Sequence, residues 1–451
     1  MTTKQDIEKV LWKACDSFRG KIDSSRYKDY ILSMLFVKYL SDVYAETRKK
    51  YEKQYKGDAT RVDRAMSRER FVMDKESTFE YLYNNRSDSE IGQKINVALA
   101  AIENNNSAKL HNVFRAIDFN STIDFGEKKE RNAILKNLLD DFNGLDLSPA
   151  QLDSADIIGD AYEYMIANFA SDAGKKGGEF YTPSKVSELV ARLVAPREND
   201  RIYDGTCGSG GLLLKAFSQI SSKRARIYGQ EKNMQTWALC RMNMFLHNVD
   251  DAVIWQGDTL ANPGNIENDK LMKFQCIVAN PPFSLDKWES GFLPAGENDS
   301  DKKQKMTPDL DTFHRFDWGV PPSSKGDYAF VMHFLHSLDD ATGRMAIVLP
   351  HGVLFRGASE GKIRRTIIEK FNFLDAVIGL PANLFYGAGI PACILVFRKN
   401  RNEGDKILFI DASGEEHFEK GKNQNILRDG DIQKIVDTYQ KFRANAKFKD
   451  E

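Results

Sequence analysis

Between about residues 175 and 400, short apolar, β-branched runs alternate with stretches of helical periodicity. No other feature of this 451-residue chain restricts its fold as strongly. The runs are Arg201–Cys207, Ala225–Glu231, Ala252–Asp258, Phe274–Asn280, Arg344–Leu349, Leu374–Leu380 and Cys393–Phe397. Several are almost wholly apolar, as strands covered on both faces are. Their alternation with helices predicts an α/β fold with a doubly wound, mostly parallel sheet. Ligands of such sheets bind outside the carboxyl ends of the strands, so the residues that end each run become the functional candidates.

The first run ends in "YDGTCGSGGLLLKAF", a glycine-rich turn that leads straight into a helix. Gly205, Gly208, Gly210 and Gly211 let backbone approach a ligand closely and tolerate positive φ. Their spacing is G-x-x-G-x-G-G rather than G-x-G-x-x-G, which argues against a nicotinamide dinucleotide. The second run ends at Glu231, which offers two acceptors for ribose hydroxyls or is a solvated surface carboxylate. The third ends at Asp258, an acceptor for an adenine amino group or a turn cap. The fourth ends in Asn280-Pro281-Pro282-Phe283, and proline cannot donate to a sheet ladder, so the strand must stop there. Asp204, Glu231, Asp258 and Asn280 recur at intervals of 27, 27 and 22 residues, each a sensible βα unit.

Residues 1 to about 150 have a different texture. They are charged and helical, with Ile31, Leu35, Tyr39 and Val43 at helical spacing. Further helices are expected over roughly 61–73, 89–104 and 129–142, and Ser148, Pro149 and Ser154 are start signals for one or two more. The expected organisation is an all-helical N-terminal domain over 1–150, the α/β domain over 151–401, and a C-terminal segment over 402–451. That last segment holds a strand at Ile407–Asp411 and a charged helix around Asp431–Arg443. Residues 284–325 interrupt the alternation with a long polar stretch punctuated by proline and glycine, and such loops are functional or disordered.

The formal net charge is −1, so the overall field does little to hold nucleic acid. A local basic patch or a partner subunit has to supply any phosphate contacts. The five cysteines are dispersed, odd in number and never spaced C-x-x-C, which argues against a disulfide framework or a zinc knuckle. The charged start MTTKQDIEKV is unlike a signal peptide, and there is no run of about 18 apolar residues, so a cytoplasmic location without membrane contact is expected. His333 and His336 lie three apart without a carboxylate or cysteine to complete a ligand set. Packing is therefore their expected role, and no metal is expected. No G-x-x-x-x-G-K-[ST] occurs, so nucleotide hydrolysis is not expected of this chain.

In this order the four strand ends resemble the S-adenosylmethionine-dependent amino-methyltransferases of DNA. "GGEFYTPSKVSELV" (177–190) and "NPPF" resemble that family's cofactor and catalytic motifs. The helical N-terminal region, "GEFYTP", "DGTCGSGG", "NPPF", "GRMAIVLPHGVLF" and "LPANLFYGAGIPACILVFRK" resemble, more closely, the modification subunit of type I restriction–modification systems. This similarity covers most of the chain. One departure is Gly205, where many relatives have proline.

The resemblance implies a Rossmann-like methyltransferase domain that uses S-adenosyl-L-methionine to methylate adenine N6 in DNA. It implies that Glu179, Phe180, Tyr181, Thr182, Pro183 and Ser184 line the methionine end of the cofactor, with Phe180 and Thr182 nearest. Asp204, Gly208, Ser209, Gly210 and Gly211 are then the holders of the amino-acid portion and adjoining sugar, Glu231 of the ribose and Asp258 of the adenine. The partners implied are double-stranded DNA, a separate specificity subunit bound by two copies of this chain, and a restriction/translocase subunit. The N-terminal helices and residues 402–451 are the expected docking surfaces.

The chemistry of Asn-Pro-Pro-Phe fits a planar amino group. The lone pair of such a nitrogen is delocalised into its ring, so it is a poor nucleophile. Acceptors on both N–H bonds make the nitrogen more tetrahedral and turn the lone pair towards an incoming methyl group. The Asn280 side-chain oxygen and the Pro281 carbonyl are the two acceptors; Pro282 restricts that carbonyl, and Phe283 offers a face for an extruded base. The tetrapeptide alone leaves cytosine N4, guanine N2 of RNA and protein glutamine open as alternatives to adenine N6. A non-catalytic cofactor-binding subunit is the alternative outside enzymes.

Overall fold

The computed structural model describes residues 1–154, 156–173, 181–292, 305–386 and 389–444. The chain divides into two units, Met1–Ala173 with Ala238–Asp250, and Gly174–Trp237 with Asp251–Glu451. Among the described residues no helix is long and apolar enough to cross a membrane.

The first unit is helical, and the helix Ser24–Gln54 is its longest element. Ile31 and Leu35 are fully buried on one face, Tyr39 is nearly so, and Val43 is half-buried as the helix approaches its charged end. Lys4–Phe18, Ala59–Met66, Ile91–Asn105, Lys128–Asn143 and Ile157–Ala173 are the other principal helices. Ile91–Asn105 and Lys128–Asn143 lie close to the expected spans, whereas Ala59–Met66 ends at its cap Ser67, short of the expected 73, and Lys4–Phe18 is not among the expected helices. That last helix is closed by a capping box between Thr3 and Asp6. Arg70 explains why residues 238–250 belong here: its guanidinium pairs with Asp250 and donates to the Phe245 carbonyl at 2.7 Å and to Asn248 at 2.8 Å. A bidentate guanidinium with several acceptors fixes the returning segment more firmly than an exposed ion pair could.

The second unit is built on eight strands: β1 (Arg201–Asp204), β2 (Arg226–Glu231), β3 (Val253–Gln256), β4 (Cys276–Ala279), β5 (Arg344–Pro350), β6 (Leu374–Gly379), β7 (Ala392–Arg398) and β8 (Leu408–Asp411). They form one sheet in the order β3-β2-β1-β4-β5-β7-β6-β8. Neighbours are parallel except that β7 runs antiparallel to both β5 and β6. The central strands β4 and β5 are buried along their whole length, which is why their sequences are continuous apolar runs. Strand order reverses between β1 and β4, and a crevice opens outside the carboxyl ends of strands at such a switch point. Asp204 ends β1, and Asn280 follows the last residue of β4.

The polar stretch 284–325 is anchored rather than detached in its described parts. Arg315 is completely buried, and its guanidinium bonds Asp311, the carbonyls of Thr259 and Leu260, and His333. A buried charge is tolerated only when paired and hydrogen-bonded, and Asp311 at 2.8 Å supplies the pair. Trp288 and Phe316 pack beside it, with ring centroids 5.1 Å apart.

Candidate active site

Three carboxylates and a glycine turn line one arm of the crevice. β1 stops at Asp204 because the chain turns back on itself: Thr206 donates its backbone N–H and its hydroxyl to Asp204 Oδ1, at 2.8 and 3.2 Å. Gly208 and Gly210 then take φ of 54° and 84°, a left-handed conformation that side chains disfavour, and the helix Gly211–Ser218 begins. Ser209 is buried within the turn. Burial pushes the Asp204 carboxyl up to about 7, against the opposing hydrogen bonds from Thr206. Glu231, at the end of β2, accepts the Gly208 N–H at 3.1 Å through one oxygen and the Asn233 N–H at 2.7 Å through the other. Burial raises its pKa too. A carboxylate has about four lone-pair sites, so acceptor capacity remains for a ligand. Asp258 caps its own turn, accepting from Leu260 and Ala261 at 2.9 and 3.1 Å, and pairs with Lys232 at 2.8 Å.

Gly205 has a local reason. A Cβ there would lie 2.7 Å from the Tyr203 hydroxyl and 2.8 Å from the Thr259 methyl. The Tyr203 hydroxyl is fixed by His333 Nε2 at 2.9 Å, and Arg315 occupies His333 Nδ1 at 3.0 Å. Arginine only donates, so Nδ1 accepts and Nε2 carries the proton towards Tyr203. Burial and the Arg315 charge hold the His333 pKa well below its ordinary value, so the ring is neutral. The space that proline needs at 205 is thus taken by a buried Asp311–Arg315–His333–Tyr203 chain. His333 has a structural role here, and His336 Nδ1 donates to the Met332 carbonyl at 2.8 Å.

The other arm is the Asn280-Pro281-Pro282-Phe283 segment. Asn280 Nδ2 donates to Thr182 Oγ1 at 3.0 Å. That bond leaves the amide oxygen facing the other way. Oδ1 is buried and has no hydrogen-bond partner among the described residues. An unsatisfied buried acceptor costs about 1–3 kcal/mol, so a carbonyl left in this state needs a reason. Pro281 is buried and Pro282 exposed. Phe283 meets Phe385 edge-on, with centroids 5.6 Å apart and an interplanar angle of 71°. Ser284 follows with φ of 53° and is tied to Asp327, which accepts its N–H at 2.8 Å. Asp327 is fully buried and paired with Arg356 at 2.5 Å. Phe283 is therefore held from both sides of the chain.

Thr182 sits 98 positions before Asn280, and the fold brings the two motifs into contact. Tyr181 lies beside Tyr386, with ring centroids 6.0 Å apart, and Pro183 precedes the helix Ser184–Val194. Glu179 and Phe180 lie outside the described residues. Phe385 and Asp327 escaped the sequence analysis as site residues. The "LPANLFYG" motif was the signal for the first; the second, at the head of the largely buried helix Asp327–Ser337, gave none.

Residues 153–451 match the N-6 DNA Methylase family, and residues 7–142 match the HsdM N-terminal domain. The MpnII type I restriction enzyme methylase subunit of Mycoplasma pneumoniae is 34% identical over 99% of this chain and 85% of its own length. The MjaVIII methylase subunit of Methanocaldococcus jannaschii is 32% identical over 98% of this chain and 75% of its own. The crystal structure of the type I restriction-modification methyltransferase subunit from Streptococcus thermophilus superposes with a TM-score of 0.79 at 32% identity, covering 98% of this chain and 94% of that one. On sequence and fold together, the chain belongs to the N-6 DNA methylase family, among the methylase subunits of type I restriction enzymes.

Proposed function

We propose that this chain transfers a methyl group from S-adenosyl-L-methionine to the N6 amino group of an adenine swung out of duplex DNA. The observation that carries the proposal is the buried, unpartnered Oδ1 of Asn280. Among the described residues it is an acceptor without a donor, at the strand end where the crevice opens. An exocyclic amino group supplies the missing donor.

The opposite arm fits an adenosyl sulfonium donor on its own geometry. Asp204, buried, and Glu231, half-buried, are acceptors for an ammonium and for ribose hydroxyls, and the turn at Gly208 and Gly210 brings backbone N–H groups close. When bound, this donor would supply a methyl group activated by its positive sulfur: the N–C bond forms as the C–S bond breaks, the neutral thioether leaves, and the methylated nitrogen gives up one proton to solvent. The residues of the chain then orient and hold. Asn280 Oδ1 takes one amino hydrogen, and the Pro281 carbonyl is assigned the second. The developing positive charge on the nitrogen strengthens both bonds as transfer proceeds, so they favour the transition state over the ground state. Thr182 fixes which end of the Asn280 amide faces the base. Phe283, braced by Phe385 and by the Ser284–Asp327 contact, is the stacking face. Tyr181, Pro183 and Ser184, with Glu179 and Phe180, are assigned to the methionine end, and Ser209 and Gly211 to the glycine turn. Asp258 is assigned to the adenine of the donor through whichever lone pairs its cap leaves.

Type I methylase subunits are the relatives of this chain, which supports placing base readout in a separate specificity subunit. We assign two copies of this chain to each such subunit and cleavage to a further restriction/translocase subunit. The test is product identity. The chain is incubated with its specificity subunit, labelled cofactor and duplex, and the DNA is digested to nucleosides for mass spectrometry. N6-methyl-2′-deoxyadenosine is the expected product; N4-methyl-2′-deoxycytidine or no labelled nucleoside overturns the proposal.

A further inference from the structure

The helical unit carries a second concentration of chemistry that methyl transfer does not use. Residues 48–70 hold nine Lys or Arg against four Asp or Glu, in a chain whose net charge is −1. Where this stretch folds, an open groove of about 330 Å³ is lined by Tyr51, Tyr55, Arg61, Arg64, Arg68 and Glu69. Tyr51 and Tyr55 stack at the end of the long helix, with centroids 5.9 Å apart and planes within 22°. The helix Ala59–Met66 brings Arg61 and Arg64 to one side at a spacing of three, and Arg68 follows its last turn.

The charges in this groove are unevenly answered. Arg61 is paired with Asp58 at 3.4 Å, and both are exposed. The Glu69 carboxylate accepts the Tyr51 hydroxyl. Among the described residues, Arg64 and Arg68 form no ion pair. Exposed arginines that outnumber the acids beside them raise one another's electrostatic cost, and an incoming anion relieves it. The guanidinium fork matches phosphate oxygens two at a time, and the flat tyrosine pair offers an apolar wall to the sugars.

We infer that this groove is a docking site for the phosphodiester backbone of duplex DNA, with Arg64 and Arg68 as its principal cations and Arg61 as the third. The inference rests on the reading of DNA as the substrate. It places a sequence-independent grip on the helical unit, in a molecule whose overall charge supplies none. Because three phosphates are neutralised, binding there releases counterions, and affinity falls with salt more steeply than without the groove.

The test is fluorescence anisotropy of the full-length chain with a labelled duplex of arbitrary sequence, across a salt series. The variant R61Q/R64Q/R68Q is compared with wild type and with K21Q/K129Q/K136Q, which removes the same charge from exposed lysines of the same unit. The groove variant is expected to bind about tenfold or more weakly at 0.1 M salt, and its log–log salt slope is expected to fall by ~2–3. The control keeps the wild-type slope to within about one. Equal losses in both variants overturn the inference, because the effect is then general charge. An unchanged slope in the groove variant overturns it as well. Loss of assembly with the specificity subunit at unchanged DNA affinity makes the groove an acidic-protein contact and overturns it too. Circular dichroism melting of both variants confirms that exposed substitutions leave the fold intact. If wild type itself binds no duplex alone or with its specificity subunit, the substrate reading fails, an outcome distinct from failure of the groove.

Discussion

The two arms of the crevice handle their polar groups in opposite ways. Along β1 to β3, every carboxylate is answered by its own chain: Asp204 by Thr206, Glu231 by Gly208 and Asn233, Asp258 by Leu260, Ala261 and Lys232. At the end of β4, Asn280 is answered on its nitrogen side alone among the described residues, and its buried oxygen has no donor among them. The first arm is a preformed receptor whose acceptors have lone pairs to spare. The second keeps one acceptor open, at a free-energy cost that a bound amino group removes. The proposed function accordingly assigns binding to the satisfied arm and rate to the unsatisfied one.

That division is open to a graded series of substitutions. Asn280→Ala strikes the open acceptor, and we expect kcat to fall ~10²–10³-fold while the cofactor Kd stays within about twofold. A methyl-transfer assay of the complex with calorimetry on the same preparation separates the two. Phe283→Ala removes a stacking face worth ~1–3 kcal/mol per base, so kcat/KM for DNA falls by about 10–100-fold, and Phe283→Tyr restores most of it. A loss in cofactor binding instead would put Phe283 on the wrong arm.

The satisfied arm is tested by pH. The Asp204 carboxyl titrates at about 7 because burial disfavours its charge. A cationic or donor-rich ligand favours the ionised form, so binding releases a proton below that pH. Cofactor affinity therefore rises with pH up to about 7 and levels off above it, falling ~tenfold per unit on the acid side. Calorimetry between pH 5.5 and 8.5 measures this, and Asp204→Asn should flatten the curve. An affinity that falls as pH rises contradicts the assignment. The smallest effect is reserved for Asp258→Asn. Its Oδ1 can keep the cap to Leu260 and Ala261 while the Lys232 pair is weakened, and exposed pairs of this kind contribute ~0.2–1 kcal/mol. A change in cofactor Kd beyond about fivefold would mean that Asp258 is engaged more directly.

Much of this architecture is legible in the residues. Runs such as Cys276–Ala279 are apolar because both faces are covered, and that property survives in sequence. The run Arg201–Cys207 overshoots β1, which ends at Asp204, because the carboxylate draws the following backbone into a turn. Strand direction left no trace: the Cys393–Phe397 run suits an antiparallel strand as well as a parallel one, so the reversal of β7 stayed invisible. The 284–325 stretch is polar in composition, yet Arg315 is one of its most buried residues, since Asp311 four positions earlier neutralises it within the fold. The four strand-end motifs announce a site. The contact of Thr182 with Asn280 depends on distant segments meeting, and no local pattern encodes it.

That contact carries the central claim, that a hydroxyl from the cofactor-side motif keeps the catalytic carbonyl turned towards the base. The most direct measurement is the single-turnover rate of methyl transfer across a double-mutant cycle of Thr182→Val and Asn280→Ala in the assembled complex. We predict that Thr182→Val slows transfer by about 5–10-fold in the wild-type background, consistent with one hydrogen bond of ~1 kcal/mol, that Thr182→Ser restores it, and that the substitution has no effect once Asn280 is alanine. An equal slowing by Thr182→Val in both backgrounds would contradict the account, because Thr182 would then be acting on something other than the Asn280 amide.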